Sequence, residues 1–266
     1  MLLKTLLVLM DTLPQAADRL DLAIGIARQH GAGIVALHVV SHHLLPVTRS
    51  HDWDLGAQLN ELFLQKTGEA RVSASWLSVD AKLLGGGIAE IINHHATFAD
   101  LVVLGQSASG ANERRAEDHL PERVILGSGK PVLIVPYTGA FSSVGERALI
   151  AWKSGRESSR ALADSLPLLK KAGSTQVFEV NPTACELVDM ESLCAYLSAH
   201  GVQAEIGTSA ITELRVGDVL LNRVADEGSD LLVMGGYADL HFGSYTLGAV
   251  ARHVLRHMTV PVLMSH

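Results

Sequence analysis

The stretch Asp100-Leu-Val-Val-Leu-Gly105 occurs a second time in this chain, as Asp230-Leu-Leu-Val-Met-Gly235. The second copy lies 130 positions after the first, and Pro131-Val-Leu-Ile134 recurs at the same spacing as Pro261-Val-Leu-Met264. A constant spacing over such a long stretch is the signature of an internal repeat. The chain is therefore predicted to contain two tandem copies of one domain.

Nearer the start of each copy the spacing is larger. Leu7-Val-Leu-Met-Asp11 matches Leu149-Ile-Ala-Trp-Lys153, which lies 142 positions later. The first copy therefore carries additional residues, which we place in the polar, proline-containing segment 42–53 and interpret as a loop. A small, polar linker with two glycines separates the copies, and the predicted domains are 1–138 and 146–266.

Short, uniformly apolar runs alternate with amphipathic stretches in both copies. Apolar runs of this kind are typical of parallel strands buried on both faces, and alternation with helices predicts a doubly wound α/β sheet in each copy. Strands are predicted at 5–10, 34–40, 73–79, 100–104, 131–135, 147–152, 175–180, 203–207, 230–234 and 261–264. Helices are predicted at 15–30, 56–70, 87–97, 118–126, 157–172, 187–200, 216–226 and 245–257.

The composition limits the class of function. With 48% hydrophobic and 18% charged residues, the 266-residue chain has ample material for buried cores. A net charge of −7 argues against general binding to nucleic-acid phosphates or to acidic membrane surfaces. Since no apolar run approaches the ~18 residues that span a bilayer, we expect a cytoplasmic protein whose two cysteines are ordinary thiols.

The most informative motif begins at the second repeated strand. That strand is predicted to end at Gly235, followed by a flexible loop and a helix that begins near Gly248. Backbone N–H groups at a helix N-terminus favour phosphate and other anions. Ligands of open α/β sheets also lie beyond the carboxyl ends of the strands. The sequence therefore predicts an anion site in the second copy, although the two glycines are also common at a simple strand exit and helix entry.

From Gly235 to the Pro261 strand the chain resembles the universal stress protein family, in its tandem two-domain form. The nucleotide-binding form of that family has Gly, two residues, Gly, nine residues, and then Gly followed by Ser or Thr. Here Gly235 and Gly248 occupy the first and third glycine positions, Ala238 occupies the second, and Ala249 replaces the hydroxyl residue.

The resemblance implies a fold and a function. It implies two tandem Rossmann-like domains of the adenine-nucleotide-binding type, in a pseudo-twofold arrangement that pairs the last strands at 130–136 and 260–265. It further implies a stress-response binding module, not an enzyme, which binds ATP or another adenine nucleotide in the second copy and biases a protein partner. Val180 lies in the strand that lines the base in relatives, and Lys153 stands where relatives have an Asp that contacts the ribose.

The two copies depart from the family pattern in complementary ways. The first copy keeps Asp11 but has Ala108 and Asp118-His119 at the loop positions, and a carboxylate there repels phosphate. We therefore expect the first copy to have lost the site. In the second copy, Ala238 disfavours a positive φ, and neither Ala249 nor Lys153 replaces the missing hydroxyl or carboxylate.

Two other functions stay open at this point. The protein could be nucleotide-free and act through homodimerisation or an unknown protein partner, or it could be an enzyme for a small phosphorylated or adenylated substrate. Asp239, His241 and Ser244 share one loop, but the chain has no nucleophile elbow and no Walker lysine. His253 and His257 have a spacing compatible with two zinc ligands on one helix face, yet no third ligand has a matching spacing, and no metal is predicted.

Overall fold

The structure is a computed structural model that describes residues 2–40, 49–84, 86–107, 119–211, 213–241 and 244–266. Its internal contacts form two compact units. The first unit contains Leu2–Val132 and Gly139–Ser143, and the second contains Leu133–Thr138 and Val144–His266. A division of the sequence at 138 and 146 stays a prediction, as does the pairing of the last strands in a pseudo-twofold arrangement.

The first unit is built on parallel strands in the order β3-β2-β1-β4. Next to β4, the N–H of Val102 donates to the carbonyl of Pro131 at 3.0 Å, immediately before β5. Its strands are β1 (Thr5–Leu9), β2 (Gly33–Val40), β3 (Ala74–Asp80) and β4 (Leu101–Gly105). β5 (Val132–Val135) follows in the chain, and from Leu133 onward its residues belong to the second unit. The helices are α1 (Ala16–His30), α2 (Arg49–Ala70), α3 (Ala81–Leu84), α4 (Ile88–Ala96) and α5 (Leu120–Gly127).

The second unit repeats this plan, with parallel strands in the order β12-β9-β6-β7-β8. The strands are β6 (Arg147–Ala151), β7 (Ser174–Val180), β8 (Glu205–Ser209), β9 (Leu231–Gly235) and β12 (Val262–Ser265). An antiparallel pair, β10 (Ala238–His241) and β11 (Ser244–Leu247), follows β9. The helices are α6 (Arg156–Leu169), α7 (Ala184–Ala199), α8 (Val216–Asp226) and α9 (Ala249–His257).

The central strands are buried along most of their length, as expected for parallel strands covered by helices on both faces. Leu6 and Val8 of β1, and Leu232 and Val233 of β9, are fully buried. The predicted fold class, two tandem doubly wound sheets, is confirmed. In each unit the strand order reverses direction between the first and fourth strands, and that is where open α/β sheets place their ligands.

The repeated Asp of the opening motif joins neighbouring strands. In the first unit the Asp100 carboxylate accepts the backbone N–H groups of Lys4 and Thr5, at 2.8 and 3.0 Å. In the second unit Asp230 accepts those of Glu146 and Arg147, at 3.0 and 2.8 Å. The Asp therefore ties the start of the fourth strand to the start of the first, a structural reason for its recurrence.

Two predictions about loops were wrong. The segment between Gly235 and Gly248 is not a continuous loop, because β10 and β11 form an antiparallel pair within it. The predicted loop at 42–53 overlaps α2, which begins at Arg49. His51 therefore lies in a helix, whereas 42–48 lie outside the described residues. Gly56 interrupts the helical pattern in the sequence, but a Cβ there would lie 3.0 Å from His38 Nε2, so close packing accounts for this glycine.

Among the described residues, no helix combines the length and the apolar character required to cross a bilayer.

Candidate functional site

The candidate site of the second unit lies at the carboxyl ends of β6 and β9. Lys153 follows β6, and its Nζ lies 3.5 Å from Oε1 of Glu179 on the neighbouring strand β7. The Lys153 side chain is 55% exposed, whereas that of Glu179 is fully buried. Because a buried carboxylate needs a compensating charge, Lys153 serves as a counter-ion as well as a surface cation.

Tyr237 connects the segment after β9 to the turn between β6 and α6. Its hydroxyl donates to the carbonyl of Lys153 at 2.6 Å and shares a 2.8 Å hydrogen bond with Oγ of Ser158. A Cβ at Gly155 would lie 3.1 Å from the phenol oxygen, so the Tyr237 ring packs directly over this glycine. The crevice is therefore partly filled by Tyr237.

The environment of Tyr237 keeps its hydroxyl protonated. Burial raises the pKa of Tyr237, and the negative charges of Glu157 and Glu179 act in the same direction. The hydrogen bond with Ser158 and the charge of Lys153 oppose this increase without reversing it. At neutral pH the phenol is a hydrogen-bond donor and not a base.

Gly235, the last residue of β9, is required for close packing. A Cβ at this position would lie 2.7 Å from the backbone N of Ser158 and 2.8 Å from the carbonyl carbon of Glu157. The first turn of α6 therefore lies directly against the end of β9, with no room for a side chain. Close packing alone therefore accounts for the first glycine of the motif, and no ligand is needed to explain it.

Gly248 is the N-cap residue of α9, with φ −60° and ψ 157°. Its N–H donates to the carbonyl of Tyr237 at 2.7 Å, which brings the start of α9 next to the Tyr237 backbone. Ala249 and Val250, the first residues of the helix, are exposed. The N-terminus of α9 is thus open to solvent, close to the residue that also contacts Lys153.

The remaining predicted residues are less closely connected. Val180 ends β7 and is half-buried, so it shares the carboxyl edge of the sheet with Lys153. Ala238 is paired with Leu247 in the β10–β11 pair and does not form a glycine-like turn. Asp239, His241 and Ser244 belong to the same pair, and their side chains lie outside the described part of the structure.

The equivalent crevice of the first unit, at the ends of β1 and β4, is closed by a charged side chain. Arg19 of α1 is 1% exposed, and its Nη2 lies 2.9 Å from Oδ2 of Asp11, which follows β1. A Cβ at Gly105, the last residue of β4, would overlap Nη1 of Arg19. Ala108 and Asp118 lie outside the described residues, whereas His119 lies just before α5 and contacts Glu122.

The histidine pair of α9 takes part in structural contacts. Nε2 of His253 lies 2.6 Å from Oδ1 of Asp218 on α8, and Nδ1 of His257 lies 2.9 Å from the carbonyl of His253. The two rings stack with their centres 4.3 Å apart. Within the described ranges, no cluster of three or more His, Cys, Asp or Glu residues has a geometry suited to a metal ion.

In the first unit a salt bridge joins the equivalent pair of helices, α4 and α5. There the Arg123 guanidinium of α5 contacts the Glu90 carboxylate of α4 at 2.5 Å. Burial would raise the pKa of Glu90, but hydrogen bonds from its own backbone and from Arg123 outweigh this effect and lower it. The two helix pairs are therefore joined by different polar side-chain pairs in the two units.

Sequence reasoning did not find Arg19, Glu179 or the contacts of Tyr237. Glu179 left one signal, because it is the only acidic residue in an otherwise apolar strand sequence, Val177-Phe-Glu-Val180. No sequence signal indicated that Arg19 is buried, since an Arg within an amphipathic helix is usually on the solvated face.

Comparison with known proteins places this architecture in a family. The universal stress protein family model matches residues 3–136 and 160–266. A universal stress protein from Archaeoglobus fulgidus DSM 4304 has a similar structure, with a TM-score of 0.76 at 17% identity, covering 98% of this chain and 95% of that chain. A functionally unknown protein from Pseudomonas aeruginosa PAO1 has a TM-score of 0.67 at 17% identity, covering 99% and 92%. Among curated proteins there was no significant match.

The chain belongs to the universal stress protein family, as predicted from its motifs, and its two matched regions make it a tandem member. The matched regions leave out 137–159, the segment that contains Lys153. At the identity of these structures the likeness concerns the fold, so the function has to be argued from the site.

Proposed function

We propose that this tandem universal stress protein is a cytoplasmic binding protein whose second unit binds an adenine nucleotide at the carboxyl ends of β6 and β9. One observation carries the proposal, namely the different exposure of the cation at the two equivalent crevices. Lys153 is 55% exposed in the second unit, whereas Arg19 is 1% exposed in the first. Both cations are paired with a carboxylate, but the half-exposed ammonium of Lys153 can reach a phosphate in the crevice, whereas the buried guanidinium of Arg19 cannot.

The surroundings of Lys153 support an anionic ligand. Tyr237 contacts the Lys153 backbone through its hydroxyl and the Gly248 N–H through its carbonyl, so one residue connects the backbone of Lys153 to the start of α9. The N–H groups of a first helical turn and a nearby ammonium act together on a phosphate. The half-buried ring of Tyr237 offers an aromatic face to a base.

Binding without chemical turnover fits the described side chains better than catalysis does. Catalysis needs a nucleophile next to a base. Here the Tyr237 phenol is held protonated, and Ser158 is 3% exposed and already hydrogen-bonded to it. We propose that the bound nucleotide is not consumed and that it changes the affinity for a protein partner.

A nucleotide-free protein is the second candidate, and two observations favour it. The Gly248 N–H is already bonded to the Tyr237 carbonyl, and Ala249 offers no hydroxyl. In that case the protein acts through homodimerisation or partner contacts alone.

Two variants of Gly248 separate the candidates. Because Gly248 is an N-cap with a negative φ, both Gly248→Asp and Gly248→Asn are expected to preserve or stabilise α9. Only Asp places a carboxylate where the phosphate would lie. Calorimetry with ATP, ADP and AMP should show binding to the wild type and to Gly248→Asn, and at least ~10-fold weaker binding to Gly248→Asp, since one added charge costs about 1.4 kcal/mol or more at close range.

The same protein, purified natively and then denatured, should release an adenine nucleotide detectable by mass spectrometry. If neither the native preparation nor calorimetry reveals a nucleotide, the nucleotide-free candidate is correct. Phosphate release at many turnovers per chain would instead support the hypothesis that the protein is an enzyme.

A further inference from the structure

The buried guanidinium of Arg19 occupies the crevice of the first unit in the manner of a bound ligand. It lies at the point where the strand order reverses, between Asp11 after β1 and Gly105 at the end of β4. Nη2 faces the Asp11 carboxylate at 2.9 Å, and Nη1 fills the space beside Gly105 that a Cβ would otherwise occupy. The side chain enters this space from α1, outside the sheet.

The contacts of Arg19 are mainly electrostatic and steric. Within the described residues, none of its three guanidinium nitrogens makes a hydrogen bond of good geometry, although all three are buried. Most buried donors in proteins are hydrogen-bonded, so such a group calls for an explanation other than a hydrogen-bond network. A planar cation held beside a carboxylate in a fitted space provides one.

The second unit shows that the fold does not need this guanidinium. Ala161 stands at the position equivalent to Arg19, 142 residues later, and it is equally buried. There the space beside the terminal glycine of the fourth strand is filled by the backbone of Glu157 and Ser158. The side chain of Arg19 is therefore a feature of one unit only, added to a framework that packs without it.

We propose that the first-unit crevice is a binding site for a guanidinium-type cation, and that Arg19 is its permanent internal ligand. Asp11 supplies the charge selectivity, and the side-chain-free Gly105 supplies the space. The first unit thus remains in a filled state, closed to external ligands. This inference does not rest on nucleotide binding by the second unit.

Chemical rescue tests the proposal. Arg19→Ala removes the internal ligand and leaves Asp11 and Gly105 in place, so methylguanidinium should bind the vacated site. N-methylurea has nearly the same shape without the charge and should not bind. At a concentration roughly tenfold above its Kd, methylguanidinium should raise the Tm of Arg19→Ala by about 3 °C. It should leave the wild type and the control Arg28→Ala, an exposed Arg on the same helix, unchanged.

Adding Asp11→Asn to Arg19→Ala should abolish the shift, because the charge that selects the cation is gone. An equal shift with N-methylurea, an equal shift in Arg28→Ala, or no shift with methylguanidinium would each overturn the proposal. Should Arg19→Ala not fold alone, its refolding yield should recover with methylguanidinium and not with N-methylurea. Failure of that recovery also overturns it.

Discussion

At the scale of single residues, the two units carry opposite charges at the same position. The residue after the first strand is Asp11 in one unit and Lys153 in the other, and each has a buried partner of opposite charge. The partners come from different elements, Arg19 from α1 and Glu179 from β7. Where the charge of the residue after the first strand is reversed, its ion-pair partner therefore comes from a different element.

The pairing of Lys153 with Glu179 predicts a coupled effect on stability. Lys153→Met removes a charge that compensates a fully buried carboxylate, which we expect to lower the free energy of unfolding by about 1–3 kcal/mol, less than for a wholly buried pair because Lys153 is half in solvent. Glu179→Gln in the same chain should recover part of this loss. Urea denaturation of the two single variants and the double variant measures the coupling. Strictly additive effects would show that the two residues do not stabilise one another.

Tyr237 predicts a dependence of stability on alkaline pH. Its pKa is raised in the folded protein, so the stability that it contributes is complete below the unfolded pKa of ~10 and is lost as the pH rises through the folded value. Tyr237→Phe removes the two hydrogen bonds of the hydroxyl and should cost about 1 kcal/mol at pH 8. The variant should also lose less stability than the wild type between pH 9 and pH 11. Parallel losses in both proteins over that interval would contradict the role given to this hydroxyl.

At the scale of elements, the sequence predicted the strands well because their apolar character is local and repeated. Each strand of the two parallel sheets lies within two residues of its predicted position. The start of α2 was missed because the segment 42–53 is polar and contains a proline, which favours a loop, whereas the helix begins at Arg49. The β10–β11 pair was missed because the motif of the family predicts a loop there.

The candidate site was predictable only in part, because only some of its features are local in the sequence. The positions of Gly235, Gly248 and Lys153 follow from motif spacing, which is a property of the sequence. The burial of Arg19 and the contacts of Tyr237 depend on which helix packs against which strand end. Such long-range contacts leave no periodic signal in the chain.

The repeated Asp at the start of the fourth strand gives a prediction about strand pairing. Asp230→Ala removes the acceptor of two backbone N–H groups at Glu146 and Arg147, and we expect a loss of about 1–3 kcal/mol in the stability of the second unit. Asp226→Ala, an exposed position at the end of α8, is a matched control that should change stability by less than about 0.5 kcal/mol. Hydrogen exchange of the β6 amides should increase in Asp230→Ala and not in the control. An equal effect of both variants would mean that the carboxylate does not anchor β6.

At the scale of the whole molecule, the duplication produced two units with the same fold and different crevices. One crevice is filled by Arg19, and the other has a half-exposed Lys153, whose backbone Tyr237 connects to the exposed start of α9. Two copies of one domain within a chain are free to diverge, because one can keep a ligand site while the other loses it. The two units therefore differ in whether the crevice is open to a ligand.

The stoichiometry of ATP binding to the intact wild-type chain tests this difference between the two units. Calorimetric titration should give one site per chain, because the second unit binds and the first is closed. Two sites per chain would contradict the closure of the first unit, and no binding at all would contradict the nucleotide site of the second.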